Sequence, residues 1–152
     1  MNMPSSAPAL NTQVIGQAES ALGAILGPLL DRAAISFHEW VVLVVTSAGG
    51  GSAARGDLVR QLAAMRKLST ADVLRAVDEL AAAGLVELTG DDEPEVRVTA
   101  EGQARYRQVR EHVNAITGRI FGDMPLADLE TAARVLGIVT ARANAELATA
   151  QN

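Results

Sequence analysis

Five cations crowd into one short stretch of an otherwise acidic chain. Residues 53–76 carry Arg55, Arg60, Arg66, Lys67 and Arg75 against Asp57 and Asp72, an excess of three (5 − 2) in a 152-residue sequence of net charge −5. Cations gathered this way suit a polyanion, because each Lys or Arg set against a phosphate releases condensed counterions. Ser69 and Thr70 add hydroxyls at what reads as a helix start, where free backbone N–H groups also receive phosphate oxygens. Arg75 is the best candidate for a base edge, since its planar fork matches guanine O6 and N7. Asp72 could accept from a cytosine amine, but its position fits a helix cap better. With so much acid elsewhere, nucleic acid would have to be met by a local patch and not by the whole surface.

Other chemistries find no support. The chain has no Cys, which excludes disulfides, thiolate zinc sites and thiol redox reactions and fits a reducing compartment. Gly49-Gly50-Gly51 lacks the Lys-Ser/Thr of a phosphate loop, and no Ser-His-Asp elbow or His-x-x-x-His pair occurs. His112 has no second ligand at metal spacing. No enzyme, metal or cofactor is therefore expected. No run approaches the ~20 apolar residues of a membrane helix, and MNMPSSAP lacks the basic start of a secretory signal. The expectation is one domain over residues 1–152, in the cytoplasm, with no membrane partner.

The element that must position Arg75 is residues 69–86, STADVLRAVDELAAAGLV. Val73, Val77, Leu80 and Ala81 recur at helical spacing and make one apolar face. Ser69 with Asp72 is a capping-box start, and Gly84 supplies a left-handed stop. At ~100° per residue, Arg75 lies opposite Val73, flanked by Ala71, Asp78 and Ala82. The helix thus has a greasy side and a thin outer stripe bearing one long cation. Val86-Glu87-Leu88-Thr89 and Val96-Arg97-Val98-Thr99 alternate as half-buried strands, and GDDEPE between them is a turn. Helix, Gly-Leu-Val, hairpin is the order of a winged helix-turn-helix.

These residues resemble the multiple-antibiotic-resistance regulator (MarR) family. Arg75, Val77-Asp78, Gly84-Leu85-Val86 and Val98-Thr99-Ala100-Glu101-Gly102 fill the family's places in the recognition helix, before the wing and after it. The resemblance runs in element order over roughly residues 10–147. It implies a mainly α fold: a winged helix-turn-helix with a two-stranded β wing and a dimerisation layer from the terminal helices. It assigns residues 36–102 to the DNA-binding lobe and residues 10–32 and 103–150 to dimerisation helices. It also implies a homodimer on double-stranded DNA with a pseudo-palindromic operator, and a small-molecule effector between the layers.

Two departures stand out. The link Ala63-Ala64-Met65-Arg66-Lys67-Leu68 is longer than the family's turn. Where the family's wing tip carries Asp-x-Arg-Arg, this chain has Glu93, Pro94 and Glu95. Residues 87–101 hold six carboxylates and one cation, Arg97. Such a tip is repelled by phosphates by on the order of a kcal/mol per close charge. Three outcomes remain open: a wing held off the DNA, Arg97 substituting from the strand, or weak binding. The alternative function is a winged-helix dimer with weak or lost DNA binding, acting as a protein-interaction module through its acidic wing.

The remaining elements frame the lobe. An apolar helix runs from Leu10 through Leu22, Ile25 and Leu26, with a kink or break expected near Gly27 and Pro28. Ser36 and Glu39 cap a Val-rich segment that propensity alone would leave open between strand and helix. Residues 48–52 read as a flexible connection before a helix over residues 54–65, with Leu58, Leu62 and Met65 inward. Tyr106, Val109, Val113, Ile116 and Ile120 form a seam of a long helix. Leu126, Leu129, Ala133, Leu136, Val139 and Leu147 mark the last. The expected DNA contacts are Arg55, Arg66, Lys67, Ser69, Thr70, Arg75 and Arg97. The expected dimer residues are Leu22, Ile25, Leu26, Leu136, Val139 and Leu147. His38, Trp40 and Val113 are candidates for an effector pocket, although Trp40 reads first as core and His38 as surface.

Overall fold

The computed structural model describes residues 9–65 and 68–151. The order of elements is α1 (Thr12–Ala33), α2 (Phe37–Ala48), β1 (Ser52–Ala54), α3 (Arg55–Ala64), α4 (Thr70–Ala82), β2 (Val86–Thr89), β3 (Glu95–Val98), α5 (Ala100–Phe121) and α6 (Leu126–Ala150). Chain contacts divide it into two compact units, one ending at Val113 and one beginning at Asn114.

Helix starts follow the capping residues. The Asn11 side chain accepts from the Val14 N–H at 3.0 Å. Ser36 Oγ accepts from the Glu39 N–H at 3.2 Å, and the Val-rich segment behind it is helical, with Val42 and Leu43 fully buried. A satisfied first turn and a core-facing side outweigh β propensity here. The break expected in the first helix does not occur. α1 runs unbroken through Gly23, Gly27 and Pro28. Pro28 forfeits one backbone bond, while Leu30 and Ala33 beyond it are buried in the core and Leu26 before it packs against the same core. The helix stops at Ala34 in the left-handed region, φ 54°, while the Ile35 N–H reaches back to the Leu30 carbonyl at 3.1 Å. A β-carbon in that conformation costs about 1 kcal/mol.

The connection between α2 and α3 is more ordered than its glycines suggest. Gly50 and Gly51 take φ values of 94° and 95°, which turn the chain into β1. That strand pairs with β3, and the three-stranded antiparallel sheet has the order β1-β3-β2. The wing is therefore a two-stranded hairpin with a third strand at its base. In α3, Leu58 and Leu62 are buried, but Met65 lies past the helix end and is 51% exposed. The expectation of an inward Met65 fails because the helical period no longer applies to it.

Helix α4 seals its inner face with Val73, Ala76, Val77 and Leu80, each no more than 1% exposed. It ends in a Schellman closure: Gly84, at φ 73°, donates to the Ala81 carbonyl, and Leu85 donates to the Leu80 carbonyl at 2.9 Å. From there the chain enters β2 and returns along β3 to Thr99. The Thr99 hydroxyl donates to the Gly84 carbonyl at 2.7 Å and accepts the Gly102 N–H at 3.1 Å. A β-carbon on Gly102 would stand 2.0 Å from the Leu85 carbonyl oxygen and 2.8 Å from a Val98 methyl. No other residue type fits there. In the second unit, Pro125 precedes α6, a helix with no buried residue.

Gly102→Ala should lower stability by ~1–3 kcal/mol, the usual cost of forcing atoms into a packed site. Urea unfolding of the two proteins measures this, and coincident midpoints would show that the contact relaxes freely.

Candidate nucleic-acid interface

Ser69 closes the N-terminus of α4. Its Oγ accepts the Asp72 N–H at 3.2 Å, and its hydroxyl hydrogen goes to the Asp72 carboxylate at 2.8 Å. That hydrogen bond, reinforced by the charges of His38 and Arg75, holds the Asp72 carboxyl below the usual Asp range. Asp72 is committed to the cap. One helical turn on, Arg75 points outward with its side chain 65% exposed and Nη1 3.7 Å from the same carboxylate. Ala71, Asp78 and Ala82 are exposed around it. The outer stripe is thus slim, and a helix with small flanking residues can enter a major groove ~12 Å wide.

Ser69 and Thr70 are exposed at the start of this helix, so the structure brings three of the expected residues onto one surface. Arg66 and Lys67 lie outside the described residues. Arg55 is half-buried at the first position of α3, and its backbone N–H donates to the Pro94 carbonyl at 2.9 Å. Arg97 is exposed on the central strand, directly opposite Ser52 on one side and Glu87 on the other. Glu87, Asp91, Asp92 and Glu93 are all exposed along the hairpin. Arg97 therefore faces a carboxylate across the ladder, an opposite-charge pairing that favours the sheet.

The effector-pocket candidates lie in different surroundings. Trp40 is 6% exposed in the core, its ring stacked on Tyr106 at 5.4 Å between centroids. Val113 packs against the same core. His38 is half-buried at the start of α2, with its ring edge-on to Phe37. None of the three lines the cavity that does open between α1 and α5. It measures ≈ 80 Å³ and is walled by Leu29, Arg32, Ala33, Gln108, Val109 and His112. His112 Nδ1 donates to the Gln108 carbonyl at 2.8 Å, which leaves Nε2 as the other polar atom of the ring. Beside it, Arg105 donates to the Ala33 carbonyl at 2.7 Å. Nothing in the sequence marked Arg32 and His112 as partners, because 80 residues separate them and each looks solvated on its own helix. Among the described residues, no acidic or histidine cluster could hold a metal ion, and no single helix is long and apolar enough to cross a membrane.

The capped helix, its outward Arg and the three-stranded sheet with its β2–β3 hairpin together define a winged helix-turn-helix. Residues 35–95 match the sequence model of the MarR family. No curated protein matches the chain. Among solved structures, NadR in complex with 4-hydroxyphenylacetate is 20% identical, with 90% of this chain and 97% of that one covered at a TM-score of 0.69. A MarR-family transcriptional regulator from Silicibacter pomeroyi is 22% identical over 85% and 86% of the two chains, TM-score 0.70. CouR from Rhodococcus jostii RHA1, bound to p-coumaroyl-CoA, is 21% identical over 83% and 88%, TM-score 0.68. The shared property is the fold, which extends beyond the winged helix to nearly the whole chain.

Ser69→Ala should cost about 1 kcal/mol of stability, the usual worth of an N-cap, and should raise the Asp72 carboxyl pKa toward its ordinary value. A folded-state pKa below the unfolded one stabilises at pH above the unfolded value, near ~3.9. That contribution fades as pH falls through the folded pKa. Carbon-detected NMR titration of Asp72 measures the shift, and identical curves in the two proteins would contradict the assigned cause.

Proposed function

We propose that this chain is a non-enzymatic, homodimeric transcription regulator of the cytoplasm that binds a pseudo-palindromic operator and responds to a small molecule. The observation that carries the reading is α4: an inner face sealed at Val73, Val77 and Leu80, and an outer stripe of small residues around a 65%-exposed Arg75. Arg75 reads a base edge, while Ser69, Thr70, Arg55, Arg66 and Lys67 hold phosphates. The hairpin's carboxylates keep its tip from the backbone, so Arg97 is the wing's sole cationic contribution.

Dimerisation rests on apolar surface with no cover in one chain. Leu22 and Ile25 on α1 are 40% and 37% exposed, and Leu136, Val139 and Leu147 on α6 are 38%, 41% and 40% exposed. Leu26 is shared between this surface and the core. In this division residues 36–102 form the DNA-binding lobe, and residues 10–32 and 103–150 supply the helices that join two subunits. Two-fold symmetry then sets a pair of α4 helices about one DNA turn, ~34 Å, apart. The effector reading draws on NadR and CouR, whose structures contain 4-hydroxyphenylacetate and p-coumaroyl-CoA. The cavity walled in part by Arg32 suits the anionic end of a small organic acid. At ≈ 80 Å³ it holds a head group, not a whole aromatic acid.

Duplexes enriched from a random pool, then titrated by fluorescence anisotropy at several salt concentrations, test the DNA half. Affinity should fall steeply with salt, Arg75→Ala should remove ~1–3 kcal/mol of discrimination, and Lys67→Ala should weaken all sequences and lower the salt slope by ~1. Unchanged affinity in both variants refutes the assignment. The dimer is tested by sedimentation: Leu136→Glu with Val139→Glu should yield monomers with sharply reduced operator affinity. A wild-type monomer at micromolar concentration removes the two-fold reading.

A further inference from the structure

We propose that Asp72 is a positioning residue for sequence recognition, holding the Arg75 guanidinium in register through a Ser69–Asp72–Arg75 relay on the outer edge of α4. The inference deepens the operator-binding reading and rests on it for its DNA arm only. Three contacts compose the relay. The Ser69 hydroxyl donates to one Asp72 oxygen at 2.8 Å, the Asp72 N–H returns to Ser69 Oγ at 3.2 Å, and the other Asp72 oxygen faces Arg75 Nη1 at 3.7 Å. The carboxylate is therefore held at one oxygen by the Ser69 hydroxyl, on a residue whose own N–H caps back to Ser69, before it meets the guanidinium.

An exposed Arg has several flexible torsions, and ordering it on a base costs rotamer entropy. Opposite charge three residues back on the same helix narrows the choice before DNA arrives. In water this pairing is weak. Inside a groove the dielectric falls and the same pairing strengthens, so its effect is concentrated in the bound state. At 3.7 Å the ion pair spends no guanidinium N–H on a hydrogen bond, so the five-donor fork stays available for guanine O6 and N7. Asp72 accepts the Ser69 hydroxyl with one oxygen and faces Arg75 with the other, so we assign it to the cap and the guanidinium and not to a cytosine amine. The lowered carboxyl pKa agrees with this, since Ser69 is its chief cause and Arg75 a contributor.

The test has two arms. In the free protein, Arg75→Ala should shift the NMR-measured titration of the Asp72 carboxyl upward. An unchanged titration overturns the relay whether or not DNA binds. In the second arm, Asp72→Asn, which keeps an oxygen for the Ser69 hydroxyl, is compared with wild type and Arg75→Ala on every single-base variant of the enriched duplex. Preference should drop at least threefold at the one base pair that Arg75→Ala also blurs, and the double variant should match Arg75→Ala there. Affinity for random duplex and its salt slope should not fall. Loss of preference at a different base pair makes Asp72 a direct reader and overturns the proposal. Equal weakening on all sequences, with lowered thermal stability, makes it a cap alone and also overturns it. Failure of the wild type to prefer any sequence refutes the operator reading instead, and the titration arm still decides the relay in the free protein.

Discussion

The lobe is organised around one hydroxyl. Thr99 ties the Gly84 carbonyl, just past the end of α4, to the Gly102 N–H, at the start of α5, and its own N–H holds the Leu85 carbonyl at 3.0 Å. Three directions of chain are set at that point: the end of α4, the entry to the hairpin and the departure of α5. The bare α-carbon of Gly102 lets the backbones close to this distance. Hydrogen bonds of this kind are each worth only about 1 kcal/mol net, but here they fix angles between elements, which apolar packing alone leaves looser.

Much of the lobe could be read from residue types because its determinants are local. Ser36, Ser69 and Gly84 act within four residues of themselves, and the sequence shows such partners directly. The hairpin strands announce themselves by alternation, and Arg75 by its place opposite Val73. Features that depend on distant partners were hidden. β1 is three small residues with no periodicity, and it exists because β3 offers an edge. α1 continues past Pro28 because the core lies beneath it, and Met65 faces out because the helix has already ended. The Arg32–His112 cavity belongs to the same class.

The candidate interface divides along the same line. The position of Arg75 followed from helical period alone. Its tether to Asp72 did not, since the sequence admits both a capping Asp and a base-reading Asp at that site. Ser69 favours the cap, because its hydroxyl donates to the same carboxylate. A buried apolar face, a short polar cap and one outward cation then make a helix whose exposed chemistry is carried by few atoms.

The hairpin is fastened to the lobe by main-chain atoms: the β1–β3 ladder, the Val98 N–H on the Gly51 carbonyl at 2.8 Å, and the Arg55 N–H on the Pro94 carbonyl at 2.9 Å. None of these bonds consults the side chains of residues 91–93. The tip can therefore exchange acids for bases through successive substitutions while the scaffold beneath it keeps its shape. Electrostatic tuning and architecture are decoupled at this spot, and a lineage could retune its grip on DNA there without refolding anything.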